Sequence, residues 1–548
     1  MKGLVSPLQA LYRWETETPH KIYMRQPKGG GVWEELTWKD VCEQVRKLAS
    51  FIKAQNLPPK SNISIFSKNA SYWMIADLAI WMSGHVSVPI YPMIDGETLS
   101  YVLEHSESKM IFIGRVDNWD SIKGNIPESI IKVTFPIHTA QVFIPWSYII
   151  ETQEPLKGFP LSPLEDVATI IYTSGTTGEP KGVVHSFESI SFAANNALKI
   201  VTLSKTDKFF SYLPLAHVAE RVLVEIGCLY CNGVVSFIES KEKFMENLKE
   251  IQPTVFLAVP FVWSTIVKKV NAKFGQDKLK KLLKTPLLSF LLKKLIKKAV
   301  GLSCIKFAFT GAAPISRDIL IWFDILGIKI IEVYGMTENL AYGVINLERK
   351  HFGSVGIPFP YVHFKLTSNG EILIKSPTNM IFYFKEPKMT QESFEKDFFR
   401  TGDMGKINEE GRLEIIGRVK ENFKTSKGLY ISPNSIELKF SQSPLVDMIC
   451  VIGAGLPQPM ALIVLSEEGK KMKADFVFDS LSKQRDVINE DLLQHERIEK
   501  IIILEEDWTV ENGKLTPTLK LKRHNIEKGL ICYFNKWFKE KDPVIWHH

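Results

Sequence analysis

Tyr172-Thr173-Ser174-Gly175-Thr176-Thr177-Gly178-Glu179-Pro180-Lys181-Gly182 is the stretch on which the reading of this chain turns. The apolar run Val167 to Tyr172 before it predicts a strand, and the residues beyond it predict a helix from about Ser186. A loop of this composition is suited to phosphate. Its glycines let backbone N–H groups come close to the oxygens, its hydroxyls add hydrogen bonds, and Lys181 brings a positive charge. The spacing fails the GxxxxGK[ST] template of P-loop NTPases, because Pro180 stands where the second glycine belongs. The loop is therefore a phosphate loop of another kind. A plain Ser/Thr/Gly surface turn is the alternative, and it gives no reason for a lysine between a proline and another glycine.

Outward from the loop, short apolar runs at Ile63 to Phe66, Thr254 to Val259 and Ile305 to Phe309 alternate with longer amphipathic stretches. That alternation predicts strands and crossover helices in a parallel sheet, an α/β core, with no repeat of fixed period. After Gly417 the character changes. A charged, loop-like run from Arg418 to Gly428 gives way to a shorter alternation, so a domain boundary is expected there, with residues 1–419 on one side and 420–548 on the other.

With 548 residues and 45% of them hydrophobic, the chain has material for more than one core. No stretch reaches the roughly 18 to 20 apolar residues of a membrane span; Ile75 to Met82 is interrupted only by Asp77 but is too short. Met1 to Arg13 does not read as a secretion signal, and six scattered cysteines do not read as a disulfide framework, so a cytoplasmic location is expected. Cys228 and Cys231 form a CxxC with no second pair at zinc spacing, and buried thiols are the expectation for them.

The phosphate loop resembles the signature of the adenylate-forming superfamily, which includes acyl-CoA synthetases, luciferases and peptide-synthetase adenylation domains. Five further segments resemble that family in the same order: Thr310-Gly311-Ala312-Ala313-Pro314, Tyr334-Gly335-Met336-Thr337-Glu338, Thr401-Gly402-Asp403, Gly417-Arg418-Val419-Lys420 and Leu515-Thr516-Pro517-Thr518-Leu519-Lys520. The likeness is greatest to long-chain fatty acid CoA ligases. It implies a large N-terminal domain of doubly wound sheets with a small β-barrel-like part, a smaller mobile α+β C-terminal domain, and a site in the cleft between them.

The resemblance also implies roles that side-chain chemistry supports. ATP would be held by Thr173, Ser174, Gly175, Thr176, Thr177, Gly178 and Lys181, with Gly311, Ala312, Tyr334 and Gly335 around the adenine. Asp403 would accept the ribose hydroxyls, Arg418 would add a hydrogen bond, and Thr337 would take the α-phosphate. Thr176 and Glu338 would hold Mg²⁺ through hard oxygens. Lys520 would be the mobile cation of adenylation, with Lys514 and Lys522 as fallbacks because Leu519 replaces the usual glycine, and Lys420 would mark the hinge. Lys427 and Gly428 would face coenzyme A, Gly428 leaving room for the pantetheine arm.

Two segments bear on the acid. Leu213 to Arg221 resembles the acyl-site lining of long-chain members, with His217 near the carboxylate, and Val259 to Trp263 resembles the segment in which Trp263 would gate a tunnel. Either residue is also an ordinary core side chain on sequence alone. By separate reasoning, Lys268 to Lys298 interleaves leucines with lysines around a single acid, Asp277, and Pro286 divides it into two helices. An apolar stripe edged by positive charge suits an anionic membrane surface; a pair of core-packed helices with solvated lysines is the rival. Nothing accompanies it that reads nucleic acid. The expected function is ATP-dependent activation of a long-chain fatty acid to acyl-AMP and then acyl-CoA. The rivals are an aryl or medium-chain acid, a carrier-protein acceptor, and a catalytically silent lipid-binding protein.

Overall fold

The computed structural model describes residues 3–138, 143–173, 179–283, 285–348, 351–440, 443–510, 512–516 and 520–547. Two large sheets make up most of it. The first runs Phe382–Tyr383, Lys181–Ser186, Val167–Thr173, Val86–Ile90, Asn62–Phe66, Met110–Ile113, Ile131–Thr134, Ile144–Pro145, parallel from Val167–Thr173 onward. The second has nine strands in the order Ile357–Pro358, Val344–Asn346, Ile330–Tyr334, Phe307–Thr310, Val255–Ala258, Lys208–Ser211, Val234–Phe237, Ile22–Gly29, Val32–Thr37. Its interior pairs are parallel, and antiparallel strands close both edges.

Between the sheets lies the helix Ser71–Met82, SYWMIADLAIWM, with every residue buried. A helix that is apolar all round has no face for water, so it must be enclosed, and it touches strands of both sheets. Its exposed first N–H groups need partners; Ser71 N donates to Gln26 Oε1 at 2.8 Å, from the nine-stranded sheet. Trp81 Nε1 donates to Ala168 O at 2.9 Å, in the other sheet. The one charge in the helix, Asp77, is met by Arg221, whose Nη2 lies 2.7 and 2.6 Å from the two carboxylate oxygens. Arg221 also donates to Thr169 Oγ1 at 2.6 Å.

The small β part is a five-stranded antiparallel sheet built from His363–Leu366, Glu371–Lys375, Phe394–Glu395, Phe398–Ile407 and Leu413–Arg418. Along Phe398–Ile407, burial alternates, so Phe399, Thr401, Asp403 and Gly405 face inward. Beyond it, the hairpin strands Phe423–Lys424 and Tyr430–Ile431 lead to helix Pro433–Phe440. There follows a four-stranded sheet of Val446–Ile452, Met460–Leu465, Lys500–Leu504 and Val544–His547. Met460–Leu465 and Lys500–Leu504 are buried throughout, because both faces are covered: Ile501 and Ile503 belong to one core, Ile502 and Leu504 to another with Trp508, Ile526 and Trp537.

The helix expected from about Ser186 is Phe187–Ile200, with Ser186 as N-cap accepting from Ser189 N. A strand, Lys181–Ser186, precedes it and pairs antiparallel with Val167–Thr173, so Thr173 stands opposite Lys181. Pro286 opens helix Pro286–Ala299, separate from Gln276–Leu283. Cys228 and Cys231 are both buried near helix Gly227–Cys231. Among the described residues no helix is long and apolar enough to cross a membrane.

Candidate active site

Strands Phe307–Thr310 and Ile330–Tyr334 are parallel neighbours, and their carboxyl ends deliver Gly311, Ala312, Tyr334 and Gly335 to one crevice, the place where open α/β sheets take ligands. A Cβ on Gly311 would lie 2.9 Å from Val333 O, and one on Gly335 would lie 2.6 Å from Ala341 Cα, so a side chain at either position collides with backbone. Ala312 holds φ +69, the left-handed region that non-glycine residues seldom enter, which marks the turn as tightly constrained.

The five-stranded sheet brings Asp403 to this crevice. Tyr334 Oη donates to Asp403 Oδ2 at 2.8 Å, and Arg418 Nε lies 3.0 Å from Oδ1. Asp403 and Arg418 are register partners on adjacent strands, so their meeting follows from the hairpin itself. Burial pushes the Asp403 carboxyl above the usual aspartate value, with Arg418 opposing, and burial first, then the Asp403 charge, pushes the Tyr334 hydroxyl up. Two carboxylate oxygens offer about four acceptor positions, so two remain for a diol.

A second chain of contacts begins at Lys181, whose Nζ sits 5.3 Å from the centroid of the Tyr383 ring. Tyr383 Oη donates to Glu338 Oε1 at 2.8 Å. Glu338 and Thr337 belong to the short turn Thr337–Asn339, which is held from behind: His185 Nε2 donates to Thr337 O at 2.7 Å and Met380 N donates to Glu338 O at 2.7 Å. Burial drives the His185 imidazole down to about 4, leaving it neutral with the proton on Nε2. Among the described residues Tyr383 is the side chain that bonds the Glu338 carboxylate, while Ser174, Gly175, Thr176, Thr177 and Gly178 lie outside them.

Lys520 reaches the same crevice from the last part of the chain. Thr516 N donates to Lys520 O at 2.8 Å, Lys520 N donates to Thr516 Oγ1 at 3.1 Å, and Leu515 bridges antiparallel to Leu521. The residue is exposed at its surface, yet neighbouring protein withdraws water from around its ammonium. Its ammonium is pushed down by that loss of water and by Arg418, and held up by Asp403, Glu421 and Glu338. His217, N-cap of the helical turn Val218–Glu220, accepts from Ala219 N at 3.2 Å; burial first and the Lys520 charge second hold it down at about 4. Lys520, Asp403, Arg418, Glu338 and His217 therefore share one electrostatic neighbourhood although they come from widely separated parts of the sequence.

Residues 11–384 match the family described as AMP-binding enzyme, and residues 422–528 match the AMP-binding enzyme C-terminal domain. The chain belongs to the AMP-binding enzyme family. Among curated relatives of this AMP-binding enzyme, fatty acyl-CoA synthetase B of Dictyostelium discoideum is 27% identical over 93% of this chain and 86% of its own. Long-chain-fatty-acid–CoA ligase 1 of Homo sapiens is 28% identical over 90% and 80%. The fold matches the anthranilate CoA ligase AuaEII in complex with anthranoyl-AMP, with TM-score 0.81, 19% identity and coverage of 97% and 98% of the two chains.

Other expected residues of this AMP-binding enzyme sit elsewhere. Trp263 is fully enclosed between Phe256 and Phe323, and its Nε1 donates to Ala258 O at 3.1 Å, so in this conformation it is a core side chain. Lys420 is exposed in the turn in which Glu421 N and Asn422 N bond to Arg418 O. Lys427 and Gly428 are exposed on the hairpin turn, and Gly428 has open space around a would-be Cβ but φ +77. The positive φ alone calls for glycine in this turn. Two participants escaped the sequence reading: Tyr383 and His185. The histidine inside the apolar strand Lys181–Ser186 was the one visible signal; Tyr383 acts through a strand pairing, Tyr383 with Val183, that no local pattern announces.

Proposed function

We propose that this AMP-binding enzyme activates a long-chain fatty acid. The acid's carboxylate attacks the α-phosphorus of ATP, pyrophosphate leaves, and the acyl-AMP passes its acyl group to the thiol of coenzyme A, releasing AMP. The single observation that carries the reading is the Asp403 carboxylate held by Tyr334 and Arg418 at the carboxyl ends of the parallel strands, with the Lys520 charge felt at the same carboxylate. Fatty acyl ligases among the relatives, matched over nearly the whole chain, support the substrate class.

In this reading Asp403 accepts the ribose hydroxyls, Arg418 steadies it, and the Gly311–Ala312 backbone lies along the adenine. Lys181 and the Ser174–Gly178 loop hold the distal phosphates, and Thr337 holds the α-phosphate. Among the described residues no three acidic, histidine or cysteine side chains converge on one point. That fits Mg²⁺, which takes one or two carboxylates plus phosphate oxygens, and Glu338 Oε2 with Thr176 is the donor set available. When bound, Mg²⁺ offsets charge on the phosphates. The neutral His217 presents an uncharged wall to the acid's carboxylate and leaves Lys520 as the facing cation. We place the boundary between the two domains at residues 419 and 420, with Lys420 at the hinge and Lys427 and Gly428 meeting coenzyme A after the small domain turns.

The test is pyrophosphate release from ATP and Mg²⁺ with acids of increasing length and with aromatic acids, each with and without coenzyme A. Release greatest with long-chain acids, and acyl-CoA as product, is expected; release with aromatic acids alone would transfer the reading to the aryl class of the anthranilate enzyme. Lys520→Ala is expected to lower adenylation by about 100-fold or more, as loss of a preorganised transition-state charge does.

A membrane-facing surface accompanies this reading. On helix Pro286–Ala299, Leu288, Leu291 and Leu295 share a stripe that is 42, 58 and 57% exposed, while Ser289, Leu292 and Ile296 face the core. Lys294 and Lys298 border the exposed stripe. We propose that this stripe rests on an anionic bilayer, giving peripheral contact where fatty acids dissolve. Sedimentation with vesicles containing anionic lipid, lost in Leu291→Gln/Leu295→Gln and weakened by salt, is the expected result; equal binding to neutral vesicles would sink the electrostatic part.

A further inference from the structure

Lys520, bonded to Thr516, stands on a limb that enters helix Arg523–Lys528 three residues later. Arg523, its first residue, is clamped. Nη1 donates to Glu437 Oε1 at 2.7 Å and to Val451 O at 2.8 Å, and Nη2 donates to Glu437 Oε2 at 3.1 Å and to Asn434 Oδ1 at 3.3 Å. Both partners of the ion pair are nearly enclosed, with side chains 10 and 12% exposed. Glu437 is itself fixed, accepting from Val451 N at 2.6 Å.

The clamp also reaches the turn that carries Lys420. Asn434 Nδ2 donates to Glu421 Oε2 at 3.2 Å, and Glu421 belongs to the turn anchored on Arg418 O. One hydrogen-bonded path therefore runs from the Arg418–Asn422 turn through Asn434, Glu437 and Arg523 to the limb that carries Lys520. A planar guanidinium with these four bonds and a fifth, from Nη1 to Cys450 Sγ at 3.1 Å, fixes direction as well as distance, which an ammonium cannot do. The helix itself does not depend on the clamp, because Ile526 is buried in the core with Trp508, Phe534 and Trp537.

We infer that Arg523, braced by Glu437, is a positioning residue that sets the Lys520 ammonium in the cleft, and that it serves the adenylation half-reaction and not acyl transfer. The inference rests on the proposed role of Lys520. A cation misplaced by about 1 Å loses on the order of 100-fold in a step that depends on its position. In the transfer step the phosphate chemistry is over and that position carries no load.

The experiment measures ATP–pyrophosphate exchange with a long-chain fatty acid, and separately the transfer of acyl groups from preformed acyl-AMP to coenzyme A, for wild type, Arg523→Lys, Glu437→Gln, Lys520→Ala and Lys520→Ala/Arg523→Lys. Arg523→Lys is expected to lower exchange by about 10- to 100-fold while transfer stays within about twofold. Glu437→Gln should show the same selectivity more mildly. In the Lys520→Ala background Arg523→Lys should cost exchange nothing further, since the group it positions is gone. Equal loss in both half-reactions, or an additive loss in the double variant, overturns the inference while leaving the proposed function standing. Absence of fatty-acid-dependent exchange in the wild-type protein removes the proposed function and the inference together.

Discussion

Tyr334 and Asp403 are joined by a 2.8 Å hydrogen bond that crosses from the nine-stranded sheet to the five-stranded one. The bond ties the end of a parallel strand, where a nucleotide base would lie, to the carboxylate proposed for its ribose. Removing either end has different consequences. Tyr334→Phe leaves the carboxylate its Arg418 partner, and an increase of about 10-fold in KM for ATP is expected. Asp403→Ala removes the acceptor and leaves Arg418 uncompensated, and ATP affinity should fall by about 100-fold. Equilibrium binding of a non-hydrolysable ATP analogue to both variants checks the order; unchanged binding in Asp403→Ala would end its ribose role.

Tyr383 offers a separate handle on the metal. Its hydroxyl bonds Glu338 through Oε1, and Oε2 is the oxygen proposed for Mg²⁺. Tyr383→Phe should keep the ring beside Lys181 and lose only that bond. The Mg²⁺ concentration giving half-maximal pyrophosphate release should rise by about 3- to 10-fold. Titrating Mg²⁺ at saturating ATP measures it, and an unchanged requirement would detach Tyr383 from the metal site.

Glu220 predicts a pH effect on stability. Burial lifts its carboxyl to about 8, although Oε1 accepts from Tyr212 N at 3.1 Å. Between the ordinary glutamate value and about 8, the folded protein keeps a proton that the unfolded chain releases, so this group lowers stability as pH rises through that window. Glu220→Gln mimics the protonated form. Its Tm should match wild type near pH 5 and exceed it by about 1 to 3 °C near pH 9. Thermal unfolding followed across pH tests this; a constant difference would assign the effect to packing.

The Asp77–Arg221 pair predicts a non-additive loss. Arg221→Met alone strands the buried Asp77 carboxylate and should cost about 3 to 5 kcal/mol, read as a lower denaturant midpoint, whereas Asp77→Asn leaves Arg221 the buried Glu225, whose Oε2 lies 3.5 Å from its Nε, and should cost less. Replacing both removes the stranded charge, and the double variant should lose less than the sum of the singles. Additive losses would mean that the two side chains stabilise independently.

The alternation of strand and helix was legible because each parallel strand is buried on both faces and so reads as an unbroken apolar run, as at Val167–Thr173 and Val255–Ala258. The stretch from Tyr172 to Gly182 stood out for a different reason, since glycines, hydroxyls and one lysine crowd into eleven residues, of which Ser174 to Gly178 lie outside the described ones. Lys520 and His217 were named from sequence, but their sharing of one electrostatic neighbourhood was not visible, since it depends on how the last part of the chain lies against the first. Tyr383 and Glu437 were missed because their partners, Glu338 and Arg523, are remote in sequence and neither side chain interrupts a pattern. Trp263 shows the opposite limit, in that a large aromatic after a strand reads alike as gate and as core until its neighbours are known.

The enclosed helix Ser71–Met82 sets a timetable for synthesis. Its 12 residues need walls on every side, and Asp77 needs a guanidinium 144 positions downstream. At about 5–20 residues per second, a ribosome takes roughly 7–30 s to supply it after Asp77 itself is made. For that interval the nascent chain carries an oily segment that cannot be fully enclosed, because its carboxylate must stay in water until the guanidinium arrives. The first sheet is therefore the part of this enzyme that depends on being shielded while the rest is still being translated.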